Sequence, residues 1–240
     1  MLPQIPGKIY LADQRGVLEN SQFRRQSTFN FGAFHSEHKA PFGCLYGLNE
    51  ETLAGGHAVE FAVAEDSYLV LLPITGAVEF SAGAGAPSTV EVEETLTLPA
   101  PAGTVLRLRN PFADELVSFL HLWVRATVLL APLAPVKTVF EAQMLENKLC
   151  ELVGARPQNQ ALAQLPLPFR LSLGRFMGRQ EAVCQVAAGN SLFAFVIAGA
   201  FELQGRLLHK KDGVALWDVA DVELEALSNH ALVLVLELIA

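Results

Sequence analysis

The sequence predicts an all-β protein built as two β-barrels in tandem. Short strand candidates recur at about the 8 to 12 residue spacing of sandwiches and barrels, with turn residues between them. The series is interrupted by a proline-punctuated stretch and then resumes with the same grammar, a weak internal duplication. The 240 residues leave room for two domains of about 110 to 120 residues each.

Taken in order, the chain opens with a short strand at 8–11 and a polar stretch reaching residue 34. Within it, STFNF at 27–31 alternates polar and aromatic, as a half-buried strand does. HSEHKAP at 35–41 reads as a polar loop. His35 and His38 stand three apart, but Pro41 and Gly43 oppose a helix that would bring them together, so they read as exposed loop histidines. Strand candidates follow at 44–48, 59–63, 68–74, 77–81, 89–92, 94–98, 105–109 and 116–124. Turns between them include Asn49-Glu50, Ala54-Gly55-Gly56, Thr75-Gly76, residues 83–85, Pro101-Ala102-Gly103 and Asn110-Pro111. The unbroken apolar run at 69–74 fits a strand buried on both faces.

From 126 to 168 the texture changes, with Pro132, Pro135, Pro157, Pro166 and Pro168. The crossover between domains falls here. Residues 139–152 have helical composition but also admit short strands. A second series follows at 170–176, 182–187, 191–197, 200–203, 206–209, 215–218, 222–226 and 231–238. The expected division is a first barrel over 1–126, a linker over 127–168 whose strands are available to complete the second barrel, and a second barrel over 169–240.

Composition narrows the function. Charged residues make up 18%, against about 25% in ordinary domains. Either part of the surface is covered, by the other domain or by a second copy in a homodimer, or a monomer carries a large apolar core. A net charge of −8 opposes direct binding of nucleic acid. Three widely spaced cysteines, Cys44, Cys150 and Cys184, fit neither a disulfide framework nor a zinc pattern. Cys44 and Cys184 fall in strand candidates, where a thiol is buried and inert. No basic-then-apolar leader opens the sequence, and no stretch reaches about 18 uncharged apolar residues. The expectation is a soluble cytoplasmic protein with no membrane partner.

Two glycine-anchored patterns carry the functional signal. One runs Gly56, five residues, Ala62, one residue, Ala64, three residues, Tyr68, seven residues, Gly76; the other is Pro101-x-Gly103-x-x-Leu106-x-x-x-Asn110. These resemble the two sequence motifs of the cupin superfamily. There, His-x-His on one strand aims two imidazoles at one ion, because alternate residues share a face. DQRGVLENSQFRRQSTFNFG at 13–32, FLHLWV at 119–124, GAFELQG at 199–205 and DGVALWD at 212–218 are similar to the pirin family, in its bacterial quercetinase-like branch. The resemblance implies a bicupin of two jelly-roll barrels, with one divalent metal such as iron in the first barrel. It also implies quercetin oxidation in some members and regulatory or binding roles in others.

The family's four ligand positions fall here on Ala62, Ala64, Leu106 and Leu108, none of which can ligate through its side chain. The residues themselves therefore imply no metal, no cofactor and no catalytic group. Those four are expected to line an apolar pocket, with Glu60, Tyr68 and His121 as its polar members. Alternation gives Glu60 the inward parity of Ala62 and Ala64, with the barrel mouth as its other placement. It also puts His121 on one face with Phe119 and Trp123. The leading expectation is a metal-free, pirin-like binding or regulatory protein for a small apolar or aromatic ligand. The alternatives are a quercetin 2,3-dioxygenase-like enzyme with a metal site rebuilt from Glu60 and His121, and a structural protein whose role is oligomerisation.

Overall fold

The computed structural model describes residues 5–83, 85–126, 134–154 and 167–240. They form two compact units, one of Arg15–Val139 and one joining the chain up to Gln14 to Phe140–Ala240. The strands run β1 (Gly7–Tyr10), β2 (Gly16–Glu19), β3 (Phe23–Ser27), β4 (Leu45–Leu53), β5 (Ala58–Ala62), β6 (Ser67–Thr75) and β7 (Ala77–Ala82). Next come β8 (Ser88–Glu91), β9 (Glu94–Ala100), β10 (Val105–Arg109), β11 (Val117–Arg125), β12 (Val136–Val139), β13 (Cys150–Val153) and β14 (Phe169–Phe176). The chain closes with β15 (Glu181–Gln185), β16 (Ser191–Ala198), β17 (Phe201–Leu203), β18 (Arg206–Leu208), β19 (Gly213–Leu216), β20 (Asp221–Ala226) and β21 (Ala231–Leu238). The architecture is all-β in two units, as the strand spacing predicts.

In the Arg15–Val139 unit, a seven-stranded sheet ordered β12-β9-β6-β11-β4-β3-β2 packs on a four-stranded sheet ordered β5-β10-β7-β8. Side chains of both sheets meet in one core that includes Phe61, Leu69, Leu71, Leu98, Leu106, Leu108 and Phe119. β10 shows how alternation builds it: Leu106 and Leu108 are buried while Val105 and Arg107 are exposed. In β6, Leu69 and Leu71 enter that core, and Tyr68, Val70 and Leu72 are buried on the other face. The unbroken apolar run thus reads correctly as a strand covered on both sides.

The motif residues that persist here hold the frame. Gly76 turns β6 into β7 at φ +70°, and a Cβ there would stand 2.8 Å from Val117 Cγ1. Only glycine meets both conditions without cost. Buried Asn110 donates through Nδ2 to the carbonyls of Leu53 (3.0 Å) and Glu115 (2.6 Å) and accepts from the Phe112 N–H (3.0 Å).

The other unit pairs a six-stranded sheet, β1-β19-β16-β21-β14-β13, with a four-stranded one, β15-β20-β17-β18. Its core includes Phe176, Phe201, Val222, Leu224 and Val233. β1 belongs to this unit and pairs antiparallel with β19, from Gly7 opposite Leu216 to Tyr10 opposite Gly213. The first residues therefore do not join the 1–126 barrel as expected. They lengthen the distant sheet, where Tyr10 packs edge-on to Phe193 at 5.7 Å. Buried Asp212 fixes the connection by accepting the N–H groups of Ala12 (2.7 Å) and His209 (2.8 Å).

Of the expected linker, 127–168, residues 127–133 and 155–166 lie outside the described residues. In its described part, β12 extends the first unit beside β9 and β13 extends the second beside β14. Residues 139–152, which admitted helix or short strands, hold a 3-10 turn at Ala142–Leu145 and the start of β13. Two other expectations fail. Residues 27–31 are not a strand; the ladder runs through β3 and ends at Ser27. Asn49-Glu50 is not a turn. β4 continues straight through it, because Asn49 and Glu51 face a polar patch in the barrel and pair across the ladder with Ser27 and Arg25.

Candidate functional site

Strand parity decides where the family positions point. Along β5 and the residue after it, Val59, Phe61 and Val63 are buried, whereas Glu60, Ala62 and Ala64 are exposed. β10 pairs Leu106 with Phe61 and Val105 with Ala62. Leu106 and Leu108 are thus inside the barrel, and Ala62 and Ala64 stand on the opposite face of the same sheet. The expected inward parity of Glu60, Ala62 and Ala64 is reversed. β6 carries a bulge against β11, where Ser118 pairs with Thr75 and Phe119 with Pro73, so Ile74 is skipped.

The inward positions nearest the family site are therefore Phe61, Val63, Leu106 and Leu108, all hydrocarbon. They close the barrel interior by packing. A divalent metal needs oxygen, nitrogen or thiolate donors, and these side chains do not fit one. Glu60 is at the exposed rim, 4.0 Å from Arg107, and His121 is fully buried, so the two do not form a rebuilt site. Among the described residues no group of three or more His, Cys, Asp and Glu side chains converges. Tyr68 points away from the barrel core and does not line the pocket. The three thiols are half-buried, not enclosed as expected for Cys44 and Cys184, and burial raises the pKa of each, that of Cys184 to about 11.

What the barrel does contain is a buried polar chain. β11 places Phe119, His121 and Trp123 on its inner face, and β4 places Gly47, Asn49 and Glu51 opposite them. Trp123 Nε1–H donates to His121 Nδ1 at 2.8 Å. An indole nitrogen only donates, so the ring proton of His121 sits on Nε2, which donates to Glu51 Oε1 at 3.1 Å. Arg25 Nε donates to the same oxygen. Glu51 and His121 have no solvent exposure. Burial pushes the His121 pKa below its ordinary 6.5, against the pull of Glu51 and with a smaller push from Arg25. The imidazole is neutral at neutral pH. Glu51 Oε2 and both ends of the Asn49 amide have no partner among the described residues; all three are buried beneath the cleft, where enclosed water is the partner such atoms take.

Above this chain lies a cleft of about 360 Å³ at the barrel mouth. Its walls are aromatic, from Phe31, Tyr46, Phe61 and Trp123, and Arg25 and Asn30 supply its polar groups. The Arg25 guanidinium lies over Phe61 at 4.7 Å and over Phe31 at 5.5 Å. Ala62, Ala64 and Glu60 line the rim of this cleft; Leu106, Leu108, Tyr68 and His121 do not line it. Gly47 keeps the wall thin, since a Cβ there would stand 2.8 Å from Trp123 Cδ1. Sequence reasoning passed over Arg25, Glu51 and Trp123 as site residues. The available signals were an arginine in a stretch read as loop and the His-x-Trp alternation of β11.

Comparison with known proteins agrees with this architecture. The model of the quercetinase C-terminal cupin domain matches residues 157–238. Quercetin 2,3-dioxygenase of Escherichia coli K12 is 21% identical over 228 residues, spanning 94% of this chain and 97% of that protein. The crystal structure of bacterial pirin YhhW from Escherichia coli in complex with nickel(II) aligns with a TM-score of 0.82 at 18% identity, over 97% of this chain and 99% of that one. A quercetin 2,3-dioxygenase from Acinetobacter baumannii aligns with a TM-score of 0.73 at 15% identity, over 97% and 85% of the two chains. Among the described residues no helix is long and apolar enough to cross a membrane. With the motif frame, the two barrels and the matched second domain together, the chain is a pirin-like bicupin.

Proposed function

We propose that this pirin-like bicupin binds a small aromatic molecule in the cleft at the mouth of its first barrel and has lost metal-dependent dioxygenase chemistry. One observation carries the reading: the interior positions nearest the family site are Phe61, Val63, Leu106 and Leu108, while the aromatic walls around Arg25 stay open. A concave site with apolar walls and a few placed polar groups is the usual form of a small-molecule site.

Metal analysis of purified protein, combined with quercetin titration and oxygen-uptake measurement, tests this. The expected result is metal well below one equivalent, no oxygen consumption, and saturable quenching of Trp123 fluorescence. Stoichiometric metal together with quercetin turnover would overturn the reading in favour of a quercetin 2,3-dioxygenase.

A further inference from the structure

We propose that the cleft selects a planar aromatic carboxylate, which the free edge of Arg25 takes at its carboxylate group while Phe31, Phe61 and Trp123 enclose the ring. This rests on the cleft being a small-molecule site and specifies what enters it.

The argument starts from the guanidinium. Arg25 spends Nε on Glu51 Oε1. Neither Nη has a protein acceptor among the described residues, although the side chain is only 11% exposed. A guanidinium with one edge fixed and the other open is a pre-organised two-pronged donor, which matches a carboxylate in shape and charge. Phe61 and Phe31 hold its plane from the side. Glu51, fixed in turn by His121, acts as the buttress that aims it.

The other polar groups on the cleft wall point to the same ligand. Trp123 N–H is committed to His121. Tyr46 O–H donates to Ser67 Oγ at 2.8 Å, since that hydroxyl already donates to the Glu65 carbonyl. Asn30 spends its amide oxygen on the Ser36 N–H at 2.8 Å and keeps its amide nitrogen unpaired among the described residues. The groups left open are therefore donors, and the ligand must bring the acceptors. Among the described residues the one carboxylate of the cleft, Glu60, lies at the solvent-exposed rim beside Arg107. Aromatic walls favour a flat body, and about 360 Å³ is near the lower end of small-molecule sites, about 300 to 1,000 Å³, which suits one or two rings.

Gly32 provides a way to occupy the fork without disturbing Glu51. It sits on the cleft wall at φ +58°, a conformation that Asp tolerates better than most residues, and a Cβ there would lie 3.7 Å from Arg25 Nη1. Gly32→Asp therefore supplies an internal carboxylate to the free edge.

The test measures 2-naphthoate and its neutral analogue 2-naphthamide, by calorimetry and by quenching of Trp123 in a Trp217→Phe background. Naphthoate is expected to bind at least about tenfold tighter than naphthamide, the usual scale of a charged hydrogen-bonded contact. Gly32→Asp is expected to weaken naphthoate at least tenfold and leave naphthamide nearly unchanged. Arg25→Lys, which keeps the charge and loses the fork, is expected to weaken naphthoate alone. Equal affinity for acid and amide in the unmodified protein would overturn the carboxylate assignment and leave the aromatic-binding reading standing. If the folded protein binds neither compound and does not bind quercetin, both fall.

Discussion

Replacing Glu51 by glutamine separates charge from shape in the buried chain. Arg25 Nε and His121 Nε2 both bond to the same oxygen, Oε1. An amide oxygen in that place can accept both bonds, so Glu51→Gln removes the charge and leaves the contacts. Breaking a fully buried pair by removing one charge costs about 3 to 5 kcal/mol. The Arg25 side chain is 11% exposed and opens on the cleft, so hydration recovers part of that, and the expected loss is about 2 to 3 kcal/mol. Pairing Glu51→Gln with Arg25→Met is expected to cost less than the sum of the two single changes, by at least about 1 kcal/mol. The assay is urea unfolding followed by Trp123 emission in a Trp217→Phe background, read as a midpoint change at constant slope. A Glu51→Gln loss below about 0.5 kcal/mol, or strictly additive single and double changes, would refute the claim that this carboxylate offsets a desolvated arginine.

Further outcomes follow from the same geometry. The folded pKa of His121 lies below the ordinary 6.5, so the unfolded chain binds more protons beneath that pH. Stability is then complete above pH 6.5 and falls as pH drops from there towards the folded pKa, by at most about 1.4 kcal/mol per pH unit. His121→Phe should flatten this slope in unfolding measured between about pH 5 and pH 6.5, a window set by the neutral histidine and its neighbours Glu51 and Arg25. Trp123→Phe leaves His121 Nδ1 buried without a donor and should cost about 1 to 3 kcal/mol in the same assay. Installing histidines at 62, 64 and 106 and glutamate at 108 should not create a nickel site by calorimetry. Positions 62 and 64 face away from 106, and a carboxylate at fully buried position 108 should unfold the barrel. Asp212→Ala removes the bond that holds Ala12 and the turn bond from His209 and should speed hydrogen exchange in β1 and β19.

Much of the fold was legible because strands carry their own signal. The 2-residue alternation of β10 and the apolar run of β6 identify which faces are buried before any partner is known. What was not legible depends on pairing. The Asn49-Glu50 pair looks like a turn by residue type, and only the presence of Ser27, Arg25 and His121 across the ladder makes a strand of it. The facing of Ala62 and Phe61 likewise depends on how β5 pairs with β10, which no composition mark announces. That Ala62, Ala64, Leu106 and Leu108 carry no donor side chain is plain from the residues once the resemblance names those positions. The site that remains could not, because Arg25, Glu51 and His121 lie far apart in sequence and each looks ordinary by itself. The same holds for β1, whose partner strand lies about 200 residues away.

That pairing bears on synthesis. The Arg15–Val139 unit is one continuous stretch and can close as soon as it leaves the ribosome. The chain end before it cannot, since Ala12 waits for Asp212, 200 residues later. At about 5 to 20 residues per second, β1 stays unpaired for roughly 10 to 40 s. Tyr10 is its single buried residue, so the waiting segment exposes little that would aggregate. β1 is thus made before the whole Arg15–Val139 unit yet fastened after it, and a bulky group joined just ahead of β1 would be felt in the sheet that β19 belongs to.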